Sequence, residues 1–245
     1  MLHSFLPYAW ATTPAHLAFA AGLTIGFTVL ARALRGVNLP GALAGGASCF
    51  LLFAGAGPAA FAALGALFLM TWIATRQGYR RKLALGLAER REGRSAWQVL
   101  ANLAVPAGGS VLFGATGNHF WMVATAAALC EAASDTVASE IGQSRGAAGF
   151  LITTWERVPA GMDGGITLIG SFAGLAAGAV IGIVAAGGGM IRWAELWIPV
   201  AAGFAGMLVD SLFGATLQRR GWISNQAVNF AATLAAAALA DAVMR

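Results

Sequence analysis

Glu131, Asp135 and Ser139 stand four residues apart, and Glu140 follows at once in the run Ser134-Asp135-Thr136-Val137-Ala138-Ser139-Glu140. On a helix the first three share one face, with Glu140 toward the neighbouring side. Carboxylates this close repel unless a proton or a cation lies between them. Carboxylate oxygens with water suit Mg²⁺, above all where substrate phosphates complete its shell. The plainer alternative is a helix end at the membrane surface whose acids pair with Arg145 or Arg157. Asp210 interrupts an uncharged run about two turns before Arg219-Arg220, and an acid so placed faces a bundle interior or a polar cavity. Ser211, Thr216 and Gln218 extend that polar surface. Asn225 and Asn229 begin the last apolar run four apart. Asn225 suits a helix cap, whereas Asn229 lies deeper and needs another partner. Asp135, Glu140 and Asp210 are therefore the candidate metal ligands, and with Asn229 the candidate catalytic set.

Phosphate chemistry has two further candidates. Gly161, Gly164 and Gly165 make the stretch from Pro159 to Thr167 a glycine-rich entrance to a helix, whose backbone N–H groups suit an anion. It lacks the Gly-Lys-Ser/Thr ending of a Walker motif. Arg76, Arg80 and Lys82, with Arg157 farther on, are a candidate clamp, and Ser139, Ser211 and Asn225 are candidate substrate contacts. The positive-inside rule already predicts a basic loop over 76–94, so single side chains there are ambiguous. His3, His16 and His119 are scattered, which argues against zinc, and no serine-hydrolase motif is present.

These groups must be positioned inside a membrane. Of 245 residues, 58% are apolar, 33 are Gly and 10% are charged, against roughly 25% charged in a soluble domain. That composition predicts one integral membrane domain over 1–245 and excludes disorder, a disulfide scaffold and a nucleic-acid binder; Cys49 and Cys130 read as buried thiols. The fold expected is an all-α polytopic bundle of about eight transmembrane or partly re-entrant helices packed through small residues. The helices fall over Ala11 to Ala31, two short crossings within Gly36 to Thr75, two within Ser95 to Cys130, Gly164 to Ala186, Leu196 to Leu217 and Gln226 to Val243. The segment 41–55 is short enough to be re-entrant, and 131–163 reads as a polar region on the cytoplasmic side, after a basic loop over 76–94. No basic segment precedes the first apolar run, so a cleaved signal is not expected.

With eight crossings, 13 of the 15 Lys and Arg fall on one face, leaving Arg192 and Arg245 opposite. That asymmetry places the basic face, with every unusual polar loop, in the cytoplasm; a prokaryotic inner membrane fits. Glycines spaced by four, as Gly22 and Gly26 and the series Gly170, Gly174, Gly178 and Gly182, allow close helix approach. Packing within the monomer is their simplest use, and a homo-oligomer remains open.

The stretches NLPGALAGG, TRQGYRRKLALG, GRSAWQVLAN, SDTVASEIG, ITTWERVPAGMDGGITLIG, GMLVDSLFGATLQ and NQAVNF span Asn38 to Phe230. In content and order they resemble the integral membrane family of eukaryotic transmembrane protein 19, which carries a domain of unknown function and includes plant and cyanobacterial phytyl-phosphate kinases. The resemblance implies phosphoryl transfer from CTP, or another nucleoside triphosphate, to an isoprenyl monophosphate, with Mg²⁺ as cofactor. The family's Asp-Thr-x-Ala-Ser-Glu segment falls on Asp135, Thr136, Ala138, Ser139 and Glu140, and its Val-Asp-Ser segment on Val209, Asp210 and Ser211. Its glycine loop falls on Gly161, Gly164 and Gly165, and its terminal asparagines on Asn225 and Asn229. Glu131 departs from the usual small or apolar residue, and Gln226 stands where the family often has a second adjacent asparagine. The basic loop leaves no room for a soluble nucleotide domain. A transporter or flippase for lipid phosphates or small anions, or another lipid-phosphate transferase, is the alternative reading.

Overall fold

The computed structural model describes residues 6–146 and 148–244; His3 and Arg245 lie outside them. Local signals fix where each helix begins. Helix α1 (Pro14–Ala33) starts on Thr13, whose hydroxyl accepts from His16 N. Helix α2 (Leu39–Ala56) starts on Asn38, whose side chain accepts from Gly41 N at 2.9 Å. Both have a proline in the first turn, where a missing N–H breaks no helical bond. Gly57, at φ +84°, reverses the chain into α3 (Pro58–Arg76). A short α4 (Tyr79–Ala84) follows at the basic end. Helix α5 (Ala96–Thr116) opens on a reciprocal Ser95–Gln98 cap.

Helix α6 (Phe120–Ser144) is the axis of the molecule. It packs against α3, α4, α5, α7 (Leu168–Gly187), α8 (Trp197–Phe213) and α9 (Asn225–Met244). Every residue from Val123 to Ser134 is buried. At 25 residues it is roughly 38 Å long at the α-helical rise. The other seven long helices are each apolar enough to cross a membrane. The eighth, α6, is shielded by protein instead of lipid, which allows it to carry acids.

The structure adds three details to the expected plan. The segment 41–55 is not re-entrant; it lies within the continuous, 18-residue α2. The first part of the polar region is helical, because α6 runs on to Ser144 and holds all three acids within its length. Between α6 and α7 the chain is not all-α, since β1 (Gly149–Leu151) pairs antiparallel with both β2 (Arg157–Val158) and β3 (Gly165–Ile166). This small sheet caps the basic end.

The glycine series on α7 explains the tight packing. A Cβ on Gly170 would stand 2.6 Å from Ala138 O, and one on Gly174 would stand 2.7 Å from Ser134 O. One on Gly178 would be 2.6 Å from Ser134 Oγ. These glycines let α7 approach the α6 backbone itself, whereas Gly182 faces Val200 of α8. Gly22 and Gly26 on α1 have nothing within 4 Å of a built Cβ. At the opposite end from the arginines, Glu195 accepts from Arg192 and pairs with His119 Nε2 at 2.9 Å, joining the α7–α8 connection to the start of α6.

Gly174→Ala should therefore destabilise the protein by about 1–3 kcal/mol, the range for overpacking a close interface. Gly22→Ala, on an open face of α1, should stay within about 0.5 kcal/mol of the parent. Thermal unfolding of both purified variants in the same detergent checks the contrast.

Candidate functional site

A cavity of about 400 Å³ opens among the basic-end halves of α5, α6, α8 and α9, under the loop that carries the glycines. Helix α6 contributes Asp135, Ser139 and Glu140, and α8 contributes Asp210 and Ser211. Beyond Phe213 the chain makes one π-helical turn, Gly214–Gln218. Such a turn widens a helix locally and is common at functional sites. Gly214 and Gln218 line the cavity with Asp210, and Asn225 and Asn229 close it from α9.

Gly161, Gly164 and Gly165 also line it. Gly161 (φ +81°) and Gly164 (φ +76°) adopt left-handed backbone, which an L side chain resists. Space excludes a side chain as well, because a Cβ at Gly161 would run into Leu87 and one at Gly164 into Ala215. The loop is thus pressed between the basic connection and the π turn. Gly165 N already donates to Met162 O at 2.9 Å.

Arg94 is the single basic residue lining the cavity among the described residues. Its backbone is clamped to the start of α2: Asn38 N donates to Arg94 O at 3.0 Å, and Arg94 N donates to Gly36 O at 3.1 Å. Gly41 lies directly against the Arg94 carbonyl. The guanidinium is near enough to Asp135 for its charge to act there. Sequence reasoning passed over Arg94 as one topology-setting arginine among many, although it lies in the motif GRSAWQVLAN. Its isolation from the Arg90-Arg91 pair, immediately before the helix cap Ser95, was the available signal.

Asp135 and Asp210 sit close enough for their charges to interact, and the deeper Glu131 feels the charge of both. Glu131 is 1% exposed, and neither of its oxygens has a hydrogen-bond partner; Asp210 Oδ2 and Asn102 Oδ1 are likewise unpaired. Buried polar atoms without partners are rare because each forfeits its hydration. Of these, Asp210 and Asn102 line the cavity, and Glu131 lies buried deeper on α6.

Four expected phosphate contacts lie outside this cavity, and one expected metal ligand, Glu140, is engaged by other residues at its border. Lys82 is fully buried and donates to Glu140 Oε2 (2.5 Å), Thr75 O (2.8 Å) and Ala74 O (3.2 Å). Thr75 Oγ1 donates to the other Glu140 oxygen at 2.8 Å. Glu140 borders the cavity with its charge paired to Lys82 and both oxygens engaged. Lys82 is correspondingly not a free phosphate clamp. Arg76 stacks on Trp72 and donates to Leu34 O, outside this cavity. Neither Arg80 nor Arg157 lines it; Arg157 is exposed on β2, 6.0 Å from the Phe150 ring centre. Spacing along a helix could not separate arginines that mark a membrane face from one turned inward.

The fold and site define a polytopic helical membrane protein with an acidic cavity at its basic end. The family model for the integral membrane protein family DUF92 matches residues 22–237, and the chain belongs to that family. Similar proteins include the uncharacterized membrane protein sll0875 of Synechocystis sp., 34% identical over 180 residues, which covers 71% of this chain and 70% of that protein. The uncharacterized membrane protein MJ0933 of Methanocaldococcus jannaschii is 34% identical over 173 residues, 68% of each chain. The chloroplastic protein VTE6 of Arabidopsis thaliana is 32% identical over 186 residues, 71% of this chain and 55% of that longer protein. No solved structure matches.

Lys82→Met should strand Glu140 and lower stability by about 3 kcal/mol, as removing one partner of a buried pair does. Adding Glu140→Leu should recover more than half of that loss. Detergent thermal melts of the single and double variants measure it.

Proposed function

We propose that the protein is a Mg²⁺-dependent isoprenyl-phosphate kinase that transfers the γ-phosphoryl group of a nucleoside triphosphate, CTP by the resemblance, to an isoprenyl monophosphate. The observation that carries this reading is the meeting of Asp135, Asp210 and Asn229, from three helices, in one polar cavity beside Arg94 and the glycine loop. The excess of arginine at that end supports a cytosolic orientation, where nucleotides are at hand.

The donor set suits Mg²⁺. Among the described residues no group of three His, Cys, Asp or Glu forms a metal site by itself. Mg²⁺ is commonly held by one or two carboxylates, with waters and substrate phosphates completing six oxygens. Asp135 and Asp210 supply two such carboxylates, and the unpaired Asp210 Oδ2 is an oxygen in need of a partner. When bound, the ion would offset part of the triphosphate charge.

An oxygen of the acceptor monophosphate attacks the γ-phosphorus, and the bond to the β,γ-bridging oxygen breaks. The products are the isoprenyl diphosphate and the nucleoside diphosphate. The acceptor is already an anion, so no strong base is required; alignment and charge stabilisation are. Arg94 would stabilise the transferring group, Asn229 and Asn225 would orient oxygens by their amides, and Ser139 and Ser211 would donate to phosphate. The loop at Gly161 to Gly165 would close over the phosphates and exclude water.

Purified protein screened with isoprenyl monophosphates and CTP, ATP, GTP and UTP should release nucleoside diphosphate only with acceptor and Mg²⁺ together. Asp135→Asn and Asp210→Asn should each lower kcat by about 10²–10⁴ while remaining folded. Absence of turnover across all nucleotides and chain lengths would overturn the kinase reading, and lipid flipping in vesicles without triphosphate use would favour the transporter.

A further inference from the structure

A second cavity of about 320 Å³ lies beside the first, between α1, α2, α3 and α5. Its chemistry is reversed. Phe27, Leu64, Leu67, Phe68, Val99 and Leu103 supply apolar walls. Gly45 keeps the α2 side open, since even a Cβ there would stand 3.6 Å from Val99 Cγ1, in ordinary contact. At the basic end the rim carries Arg35, Arg76 and Arg91, all exposed.

The two cavities share a border. Glu89, Arg94, Gln98 and Asn102 line both. Gln98 and Asn102 stand one turn apart on α5, and Gln98 Nε2 donates to Glu89 Oε2 at 2.9 Å. Asn102 is 8% exposed. Its Nδ2 donates to Gln98 O at 2.9 Å, while Oδ1 has no partner. That oxygen is poised to accept from a donor at the border, such as the hydroxyl of a protonated phosphate.

We infer that the second cavity holds the hydrocarbon chain of the acceptor lipid phosphate, with its phosphate at Arg94 and Asn102, where the apolar and acidic cavities join. The kinase reading supplies the reaction on which this placement rests. Apolar walls give a nucleotide or inorganic phosphate nothing to bind, and the arginine rim favours an anion over a neutral lipid. An anionic head on an apolar chain satisfies both surfaces. Gly45 then governs which chain lengths fit, and Asn102 orients the phosphate toward the transfer site.

Thermal protection of the purified protein tests the groove without requiring turnover. Geranylgeranyl monophosphate should stabilise it more than geranylgeraniol, inorganic phosphate or phosphatidylglycerol. Gly45→Leu should weaken the monophosphate about tenfold, the effect of keeping roughly two methylenes out of apolar surroundings. Gly45→Ala, which the backbone accommodates, should fall between, and isopentenyl monophosphate should be indifferent to both. Equal protection by phosphatidylglycerol, or unaltered affinity in folded Gly45→Leu and Gly45→Ala proteins, overturns the inference. Chain-selective binding with no turnover supports the groove and rejects the kinase reading. Turnover of the twenty-carbon acceptor that neither variant alters supports the kinase and rejects the groove.

Discussion

Glu131, Asp135 and Glu140 fall within ten residues of one helix that runs through a membrane bundle. A charged group in hydrocarbon is costly, so α6 can exist only where other helices keep lipid away from it. That requirement explains the close packing on either side. Gly170 and Gly174 bring α7 onto the α6 backbone, and Gly203 brings α8 so near that a Cβ would be 2.6 Å from Cys130 Cβ. Gly206 likewise packs on Glu131, 2.7 Å from its Cγ by the same measure. Small residues here serve the burial of acids before they serve anything else.

The three acids are compensated in different ways. Glu140 has Lys82 and Thr75, and that buried pair ties α4 and the end of α3 to α6. Asp135 opens onto a cavity and feels Arg94. Glu131 is enclosed with no partner for either oxygen. Compensation therefore weakens along α6 from the basic end inward, from a paired Glu140 to an unpartnered Glu131. The fully satisfied pair holds helices together, whereas the unpaired oxygens of Asp210 and Asn102 belong to residues lining a space that a ligand can enter.

Most of the helical plan was legible because hydrocarbon demands long apolar runs, and the breaks at Gly57-Pro58 and Gly117 stand out between them. Asp210 and Asn229 were legible for a related reason, each being a polar group within an apolar run, whereas Asp135 was legible by its spacing from Glu131 and Ser139. The second half of α6 was not, since a run with three acids reads the same whether water or other helices surround it. The π turn and the three-stranded sheet left no periodic signal in segments so short. Arginines were the least readable. Thirteen basic residues share one face, and nothing in their spacing says that Arg94 turns inward while Arg157 lies exposed on a strand. That distinction comes from backbone pairing between Arg94 and the Gly36–Asn38 segment, which are more than fifty positions apart.

The division of charge between rim and interior follows the electrostatics of the proposed reaction. Glu89, Asp135, Glu140, Asp163 and Asp210 line the acidic cavity against Arg94 alone, and Lys82 offsets only Glu140 from behind. Phosphates entering unaccompanied would add repulsion to a space already negative. In the proposed reaction a divalent ion arriving with the triphosphate would offset part of its negative charge and give the interior carboxylates a cation to hold. The exposed arginines outside have a different effect, since they raise the local concentration of anions at the membrane surface without entering the site. An acceptor phosphate approaching from the apolar cavity then meets Arg94 before any carboxylate. On this reading the two substrates reach the junction from opposite chemical environments, and the reaction takes place where those environments meet.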